Sequence, residues 1–278
     1  MDLAAKTVRP PGLGIDFDVL ADDTIIGPSI ERGSWEDHET RLFLAHLTPG
    51  CHVVDLGANV GWFAVQAILA GAVVHAFEPV PGIADVATRN IERANAVGPG
   101  QGVLHRCAAG AEAGTAEIVL AAKNHGDNRV LDDGSGVPTD LAGAETIKID
   151  VRTVDSLVSE PARVLKIDTQ GSEWLALSGA AGLLRRSPQL ALLIEFWPYA
   201  LRGAKPQELL DLLEREGFTM GKATEAPYPM SPTRILGQAL ERDPVKGGLD
   251  LYGTRGLPFH VLGAGARLKS MWRSLKEK

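Results

Sequence analysis

Apolar positions along the chain fall into short β-branched runs that alternate with stretches of helical spacing, the pattern of a parallel sheet wound with crossover helices. Residues 51–56, 73–77 and 102–107 predict strands, with helices at 62–70 and 83–96 between them. Residues 164–167 and 190–196 are two further runs, mostly apolar and long enough for strands buried on both faces, and 173–185 predicts the helix that joins them. Ahead of the first strand, Leu42, Phe43, Leu44 and Leu47 repeat at helical spacing within 35–47, and Pro49 with Gly50 ends that helix.

Three segments depart from this rhythm. Residues 1–34 are rich in Pro, Gly and Asp and carry short apolar pieces at 15–20 and 24–26, which predict a small β-rich cap. Between Gly114 and Val151, alternating runs at 116–120 and 146–151 flank a polar Gly/Asn/Asp stretch, an inserted hairpin-like excursion with a loop of the length that usually serves function. After Pro206 the pattern gives a helix at 207–217, a Pro-rich loop, and short strands near Thr219 and at 249–252. The tail 267–278 sets basic residues beside Leu268, Met271, Trp272 and Leu275, an amphipathic arrangement suited to anionic lipid or to another subunit. The expected organisation is an extension over 1–34, one α/β domain over 35–266 and the tail.

Composition narrows the function classes. A chain of 278 residues that is 45% hydrophobic suits one large α/β domain. Its net charge of −7 supplies no positive field for a phosphate backbone, so nucleic acid is not an expected partner. Two cysteines, Cys51 and Cys107, without close spacing indicate neither a disulfide framework nor a structural zinc site, and fit a reducing cytoplasm. No run reaches the roughly eighteen apolar residues of a membrane span, and none has signal-peptide form.

The segment Val53-Val-Asp55-Leu-Gly57-Ala-Asn59-Val-Gly61 places a strand, a glycine-rich turn and a helix in succession. The pattern is D-x-G-x-N-x-G, not the G-x-G-x-x-G that seats a pyrophosphate on a helix N-terminus. An acid at the strand end repels a pyrophosphate but suits a ligand carrying ammonium and sulfonium centres, which favours S-adenosyl-L-methionine over NAD. Glu78-Pro79, about 20 residues beyond the turn, then offers a carboxylate for ribose hydroxyls. Taken singly, Asp55 reads equally as a helix cap and Glu78 as a solvated acid; the pair at this spacing points to a cofactor site. Asn59 is suited either to capping the next helix or to meeting the methionine carboxylate.

These residues resemble the FkbM family of S-adenosylmethionine-dependent methyltransferases. The resemblance rests on residues 54–61 and 77–79, on Asn124-His-Gly-Asp-Asn-Arg129, and on Leu165-Lys-Ile-Asp168-Thr-Gln-Gly171-Ser-Glu173, with support at 154–157 and 193–195. It covers roughly residues 35–200; Gln170 departs from it, standing where an acid is common. It implies a Rossmann-like class I methyltransferase fold and O-methylation of a hydroxyl on a sugar, glycolipid or polyketide-type natural product. Residues past Pro206 do not match closely, so the acceptor is not inherited from the resemblance.

Transfer to a hydroxyl requires the acceptor to be held in line and to lose its proton. Asp168 and Glu195 fall at strand carboxyl ends, where ligands gather in open α/β sheets, and His125 lies in the long loop expected to cover the cofactor. These three are the candidate catalytic residues, with Asp168 also placed in the cofactor set of Asp55, Gly57, Asn59, Gly61, Glu78 and Pro79. Asp168 reads otherwise as a helix cap, His125 as a solvated loop residue, and Glu173 as a first-turn acid favoured by the helix dipole. Lys166 faces out of the sheet or pairs with an acid. Mg2+ held by Asp168, Glu195 and Asp127 is the alternative way to activate a hydroxyl, but three acids scattered in sequence do not predict it, and no metal ligands are assigned. His38 and His75 carry no assigned role. Two rival readings remain from other classes, a catalytically inactive binding or scaffold protein of the same fold and an NAD-dependent oxidoreductase; oligomeric state is open.

Overall fold

The structure, a computed structural model, describes residues 3–131, 138–245 and 247–259. In chain order the strands and helices are β1 (Ala5–Val8), β2 (Phe17–Leu20), α1 (Ile26–Arg32), α2 (Asp37–Ala45), β3 (His52–Leu56), α3 (Trp62–Leu69), β4 (Val73–Phe77), α4 (Pro81–Val97) and β5 (Gln101–His105). An excursion follows with β6 (Ala108–Ala109), β7 (Gly114–Val119), β8 (Arg129–Leu131) and β9 (Thr146–Arg152). The chain then runs through β10 (Val164–Ile167), α5 (Glu173–Ser178), α6 (Ala181–Arg186), β11 (Leu190–Phe196), α7 (Pro206–Arg215), β12 (Thr219–Lys222), α8 (Pro232–Leu240) and β13 (Leu249–Arg255).

The central sheet has 7 strands in the order β12-β13-β11-β10-β3-β4-β5. Strands β11, β10, β3, β4 and β5 are parallel, whereas β13 runs antiparallel to both β11 and β12. The chain lays β4 and β5 to one side of β3 and then crosses to place β10 and β11 on the other. That reversal opens a crevice above the carboxyl ends of β3 and β10, where an open α/β sheet binds its ligand.

Alternation along the strands sends side chains to two apolar layers. Val53 and Val74 join Phe63, Ile68, Ile83 and Ile91 of α3 and α4, while Val54, Leu56 and Phe77 join Leu177, Leu183 and Leu209 of α5, α6 and α7. The N-terminal segment belongs to the first layer: Phe17 is fully buried and meets Trp62 edge-on at 5.7 Å.

Four local expectations are corrected. The N-terminal cap is a hairpin plus a helix, because Asp23 Oδ1 accepts the backbone N–H groups of Ile25, Ile26 and Gly27 at 2.9, 2.6 and 3.1 Å and starts α1 where an extended piece was expected. The helix predicted over 173–185 breaks into α5 and α6 at Gly179, where a Cβ would stand 2.0 Å from the Gly110 carbonyl oxygen. The Pro-rich loop after β12 contains α8, since Pro232 occupies the first turn, where its missing N–H costs nothing, and Ser231 caps the helix. The predicted strand at 102–107 ends early, at His105, and Ala108 and Ala109 join the excursion sheet instead.

The excursion holds the expected antiparallel pair, β7 with β9, within a 4-stranded sheet ordered β6-β9-β7-β8. Among the described residues no helix is long and apolar enough to cross a membrane. The amphipathic tail at 267–278 lies outside the described residues.

One buried side chain ties the cap to the sheet. Asn90 on α4 accepts the Asp18 N–H at 2.7 Å and donates Nδ2 to the Asp18 and Val60 carbonyls, each at 2.8 Å. Burial would raise the Asp18 carboxyl, but hydrogen bonds from Arg93, Arg89 and Thr7 outweigh it and bring the pKa down to about 2. Asn90→Ala would leave three backbone groups unpaired, and we expect urea unfolding to show a loss of about 3 kcal/mol. A loss below about 1 kcal/mol would mean that water replaces the amide there.

Candidate active site

A cavity of about 560 Å³ opens in the crevice above β3, β4, β10 and β11. Its floor is the turn after β3. Gly57 has φ of 82°, and a Cβ on it would lie 1.8 Å from the Asp168 carbonyl oxygen, so the β3 and β10 turns touch through a residue that only glycine can supply. The Gly57 and Ala58 amides both donate to the Phe77 carbonyl, at 3.1 and 2.9 Å, which pins the turn to β4. Glu78 completes this corner: its Oε2 accepts the Asn59 amide at 3.1 Å and its Oε1 the Val80 amide at 2.9 Å. Burial raises its pKa to about 7 against the pull of those amides.

Of the residues singled out from sequence, Gly57, Asn59, Glu78, Pro79, His125, Asp168 and Glu195 line the cavity. Asp55 and Gly61 stand outside that lining. Gly61 is the N-cap of α3. Asp55 is wholly buried, and neither carboxyl oxygen has a hydrogen bond of good geometry, although the Ala64 amide favours its charged form. Burial raises it to about 6, with the Lys166 ammonium pulling the other way. Asn59 caps no helix; its Nδ2 donates to the His125 carbonyl at 3.0 Å and so joins the turn to the excursion loop.

Acids gather on the β10, β11 and β13 side. Asp168 Oδ2 accepts Lys166 Nζ at 3.2 Å, and Gln170 Nε2 donates at 2.7 Å to both Asp168 Oδ1 and Glu195 Oε2. Lys166 therefore pairs with an acid and is buried, its ammonium 4.6 Å above the Phe63 ring. Glu36 and Asp250 also line the cavity, and neither was found from sequence. Asp250 faces Glu195 directly in the β11–β13 register. Burial, then the neighbouring carboxyls, raise Glu195 well above its usual range, and desolvation raises Glu36 to about 8 against the pull of the Lys166 ammonium. Glu173 does not reach the cavity; its Oε1 accepts from Thr169 N, Thr169 Oγ1 and Gly171 N and braces the turn after Asp168.

Backbone strain marks the same place. Among the described residues the non-glycine positions with positive φ are Glu36, Asn59 and Gln170, at 47°, 50° and 51°, and all three line the cavity. Such conformations persist where the surroundings over-determine them, most often at functional sites.

The excursion loop closes the cavity from the side. His125 Nε2 lies 3.1 Å from Asp22 Oδ1, and its backbone N–H donates to Asp23 Oδ2 at 3.1 Å, so the loop is stapled to the cap. Arg129 grips both oxygens of Asp127 at 2.8 and 2.9 Å, pairs with Asp140, and lies 4.4 Å over the Trp197 ring. Asp127 is thus committed to Arg129, and an amide stands between Asp168 and Glu195. These three acids do not gather around a common point for a cation.

The family model described as the methyltransferase FkbM domain matches residues 55–220, a span that holds the glycine turn, Glu78, the excursion loop, Asp168 and Glu195. The chain belongs to the FkbM methyltransferase family. Solved structures similar to this FkbM protein include a methyltransferase FkbM from Methylobacillus flagellatus, 20% identical over 73% of this chain and 43% of that one, with a TM-score of 0.44. The chain therefore spans less than half the length of that relative. Two others are a magnesium protoporphyrin IX methyltransferase from Synechocystis with bound SAM (13% identity, 84% and 85% coverage, TM-score 0.43) and a precorrin-6y C5,15-methyltransferase from Geobacter metallireducens (11%, 88% and 98%, 0.46). No curated protein matches the chain. The fold itself is α/β, with a mostly parallel central sheet of 7 strands.

The raised carboxyls give a pH dependence with a definite sign. Asp55, at about 6, and Glu78, at about 7, hold protons in the folded protein that an unfolded chain releases near pH 4. Their contribution to stability is fully present below pH 4 and is lost as pH rises through 6 and 7. Ligand-free protein should therefore melt at a lower temperature at pH 8 than at pH 5.5, and Glu78→Gln should flatten that slope. An identical slope in the variant would remove Glu78 from the account.

Proposed function

We propose that this FkbM protein transfers a methyl group from S-adenosyl-L-methionine to a hydroxyl of a small-molecule acceptor. The observation that carries the reading is the polarity of one cavity across the sheet order. Phe77, Pro79, Ala108, Ala109, Ile118 and Val130 form an apolar wall beside β4 and β5, and Glu36, Asp168, Glu195 and Asp250 form an acidic wall beyond β10. The residues fit the donor: the Gly57 turn lets a ligand approach the backbone, Glu78 offers a cavity-lining carboxylate to ribose hydroxyls, and the apolar wall suits an aromatic base. Bound S-adenosyl-L-methionine supplies an electrophilic methyl on a sulfonium.

Asp168, balanced by Lys166 and oriented by Gln170, positions the reacting groups. Glu195 is the base: as the acceptor oxygen bonds to the methyl carbon and the carbon–sulfur pair returns to sulfur, the hydroxyl proton passes to Glu195 Oε1, which accepts the Gly248 amide at 3.3 Å. A raised pKa makes the Glu195 carboxylate a stronger proton acceptor than an ordinary one. His125, with its Nε2 turned to Asp22, orders the loop. The ammonium on this wall, Lys166, is already held by Asp168, so a neutral or cationic hydroxyl compound, such as a sugar, a glycolipid headgroup or a polyketide-type alcohol, is the expected acceptor.

Titration calorimetry with S-adenosylhomocysteine tests the donor. Folded wild-type protein should bind it, and Glu78→Ala should bind about tenfold to a hundredfold more weakly, the worth of hydrogen bonds to a charged group. No binding to folded wild-type protein would end the methyltransferase reading and favour a scaffold.

A panel of hydroxylated acceptors with an isotopically labelled methyl donor tests the transfer. Label should appear on oxygen, with kcat lowered about 100- to 10,000-fold in Glu195→Gln and S-adenosylhomocysteine affinity unchanged. Label on nitrogen or carbon, or full activity in that variant, would refute the assignment.

A further inference from the structure

Away from the cavity, three imidazoles lie in a row across neighbouring parallel strands. His52 opens β3, His75 sits within β4 and His105 closes β5, and none of them lines the cavity. The His52 and His75 rings stack with centroids 6.4 Å apart, and those of His75 and His105 at 5.4 Å with only 3° between their planes. His75 Nδ1 meets His105 Nε2 at 3.1 Å.

The loop that leads into β10 brings a carboxylate to the same place. Arg163 donates its amide to the His52 carbonyl at 2.8 Å, which fixes the end of that loop against β3. One ligand atom from each of His52, His75 and Glu160 then lies within 4.8 Å of the others. His52 Nδ1 is buried and has no hydrogen-bond partner. An enclosed ring nitrogen with no partner, beside a second imidazole and an exposed carboxylate, is an unmet demand for a donor or a cation.

We propose that His52, His75 and Glu160 form a binding site for a divalent transition-metal ion of the zinc class. Two imidazoles and one carboxylate are the borderline donor set that such ions take, whereas Mg2+ and Ca2+ prefer oxygen alone. Metal–ligand bonds of about 2.0–2.2 Å require the three atoms to draw closer, and Glu160, exposed on its loop, can move to meet the imidazoles. His75 commits Nδ1 to His105, which leaves Nε2 to coordinate; with Nε2 bound to metal, Nδ1 carries the proton and donates to His105 Nε2. His105 is then a positioning residue, orienting the ring that ligates. Water completes the coordination. The ion would join the 158–162 loop to β3 and β4, so its role is to stiffen the amino-terminal end of β10, remote from methyl transfer.

The test uses the full chain without a purification tag, stripped with a chelator and titrated with Co2+, whose visible absorption reports imidazole coordination. One Co2+ per chain, displaced by Zn2+, is expected, together with a rise in melting temperature on adding Zn2+. Glu160→Gln and His75→Gln should each weaken binding at least about tenfold and abolish the rise, and His105→Gln should weaken it about 10- to 100-fold. Glu160 is exposed, so its amide variant keeps the metal-free melting temperature. No Co2+ spectrum in the wild type, or a spectrum that persists unchanged in Glu160→Gln and His75→Gln, would overturn the proposal.

Discussion

A buried ammonium at the centre of the sheet sets the terms for everything around it. Lys166 stands on β10 in register with Asp55 of β3, with its Nζ 3.2 Å from Asp168. Burial opposes its charge, but Asp168, Glu36 and Asp55 outweigh burial and keep it protonated. Desolvation raises the carboxyls around it more than one such cation can lower them, so Asp55 and Glu36 settle at about 6 and 8. Removing the ammonium would leave the acids without compensation, which is why a buried charge of this sort is strongly destabilising to break.

Two of the strained residues, Glu36 and Gln170, stand at this crowded wall. Gln170 in the left-handed region turns its amide back between Asp168 and Glu195, and that one NH2 group separates two carboxyls that would otherwise face each other. Glu36 at a positive φ precedes α2 and brings its carboxyl into the cavity from the far side. Each conformation is costly alone, of order 1–2 kcal/mol outside glycine, and each is held by what packs against it.

How much of this was legible in the sequence depends on the range of the contact. The glycine turn, Glu78 and Asp168 were readable because strand, turn and helix follow one another within a few residues. Glu195 was readable because its strand is an apolar run that ends in an acid. Asp250 was not, because it reaches Glu195 only through the antiparallel insertion of β13 beside β11, which no local spacing announces. Glu36 was hidden in a polar stretch before a helix. The helical periods misled where tertiary contact overrode them, at Gly179 against Gly110, and proline misled at α8, where it starts a helix that it would have broken further in. The histidine row was invisible for a related reason: His52, His75 and His105 are far apart in the chain, and only the parallel register stacks them.

The proposed base, Glu195, and His125 differ in what holds them. His125 looked suited to proton transfer as an imidazole in a covering loop, but its ring bonds Asp22 and its backbone bonds Asp23 and Asn59, so each of those contacts serves to dock the excursion on the cap and the glycine turn. Glu195 has the opposite arrangement: one oxygen is oriented by Gln170, the other accepts the Gly248 amide at 3.3 Å, and Asp250 across the register resists its ionisation. The amide at position 170 matters here, because an acid there would add a further carboxyl to a crowded wall and would lose the donor that orients Glu195. A neutral bridge keeps Glu195 fixed in place while its neighbours keep it basic, and those are the two properties that a proton acceptor needs.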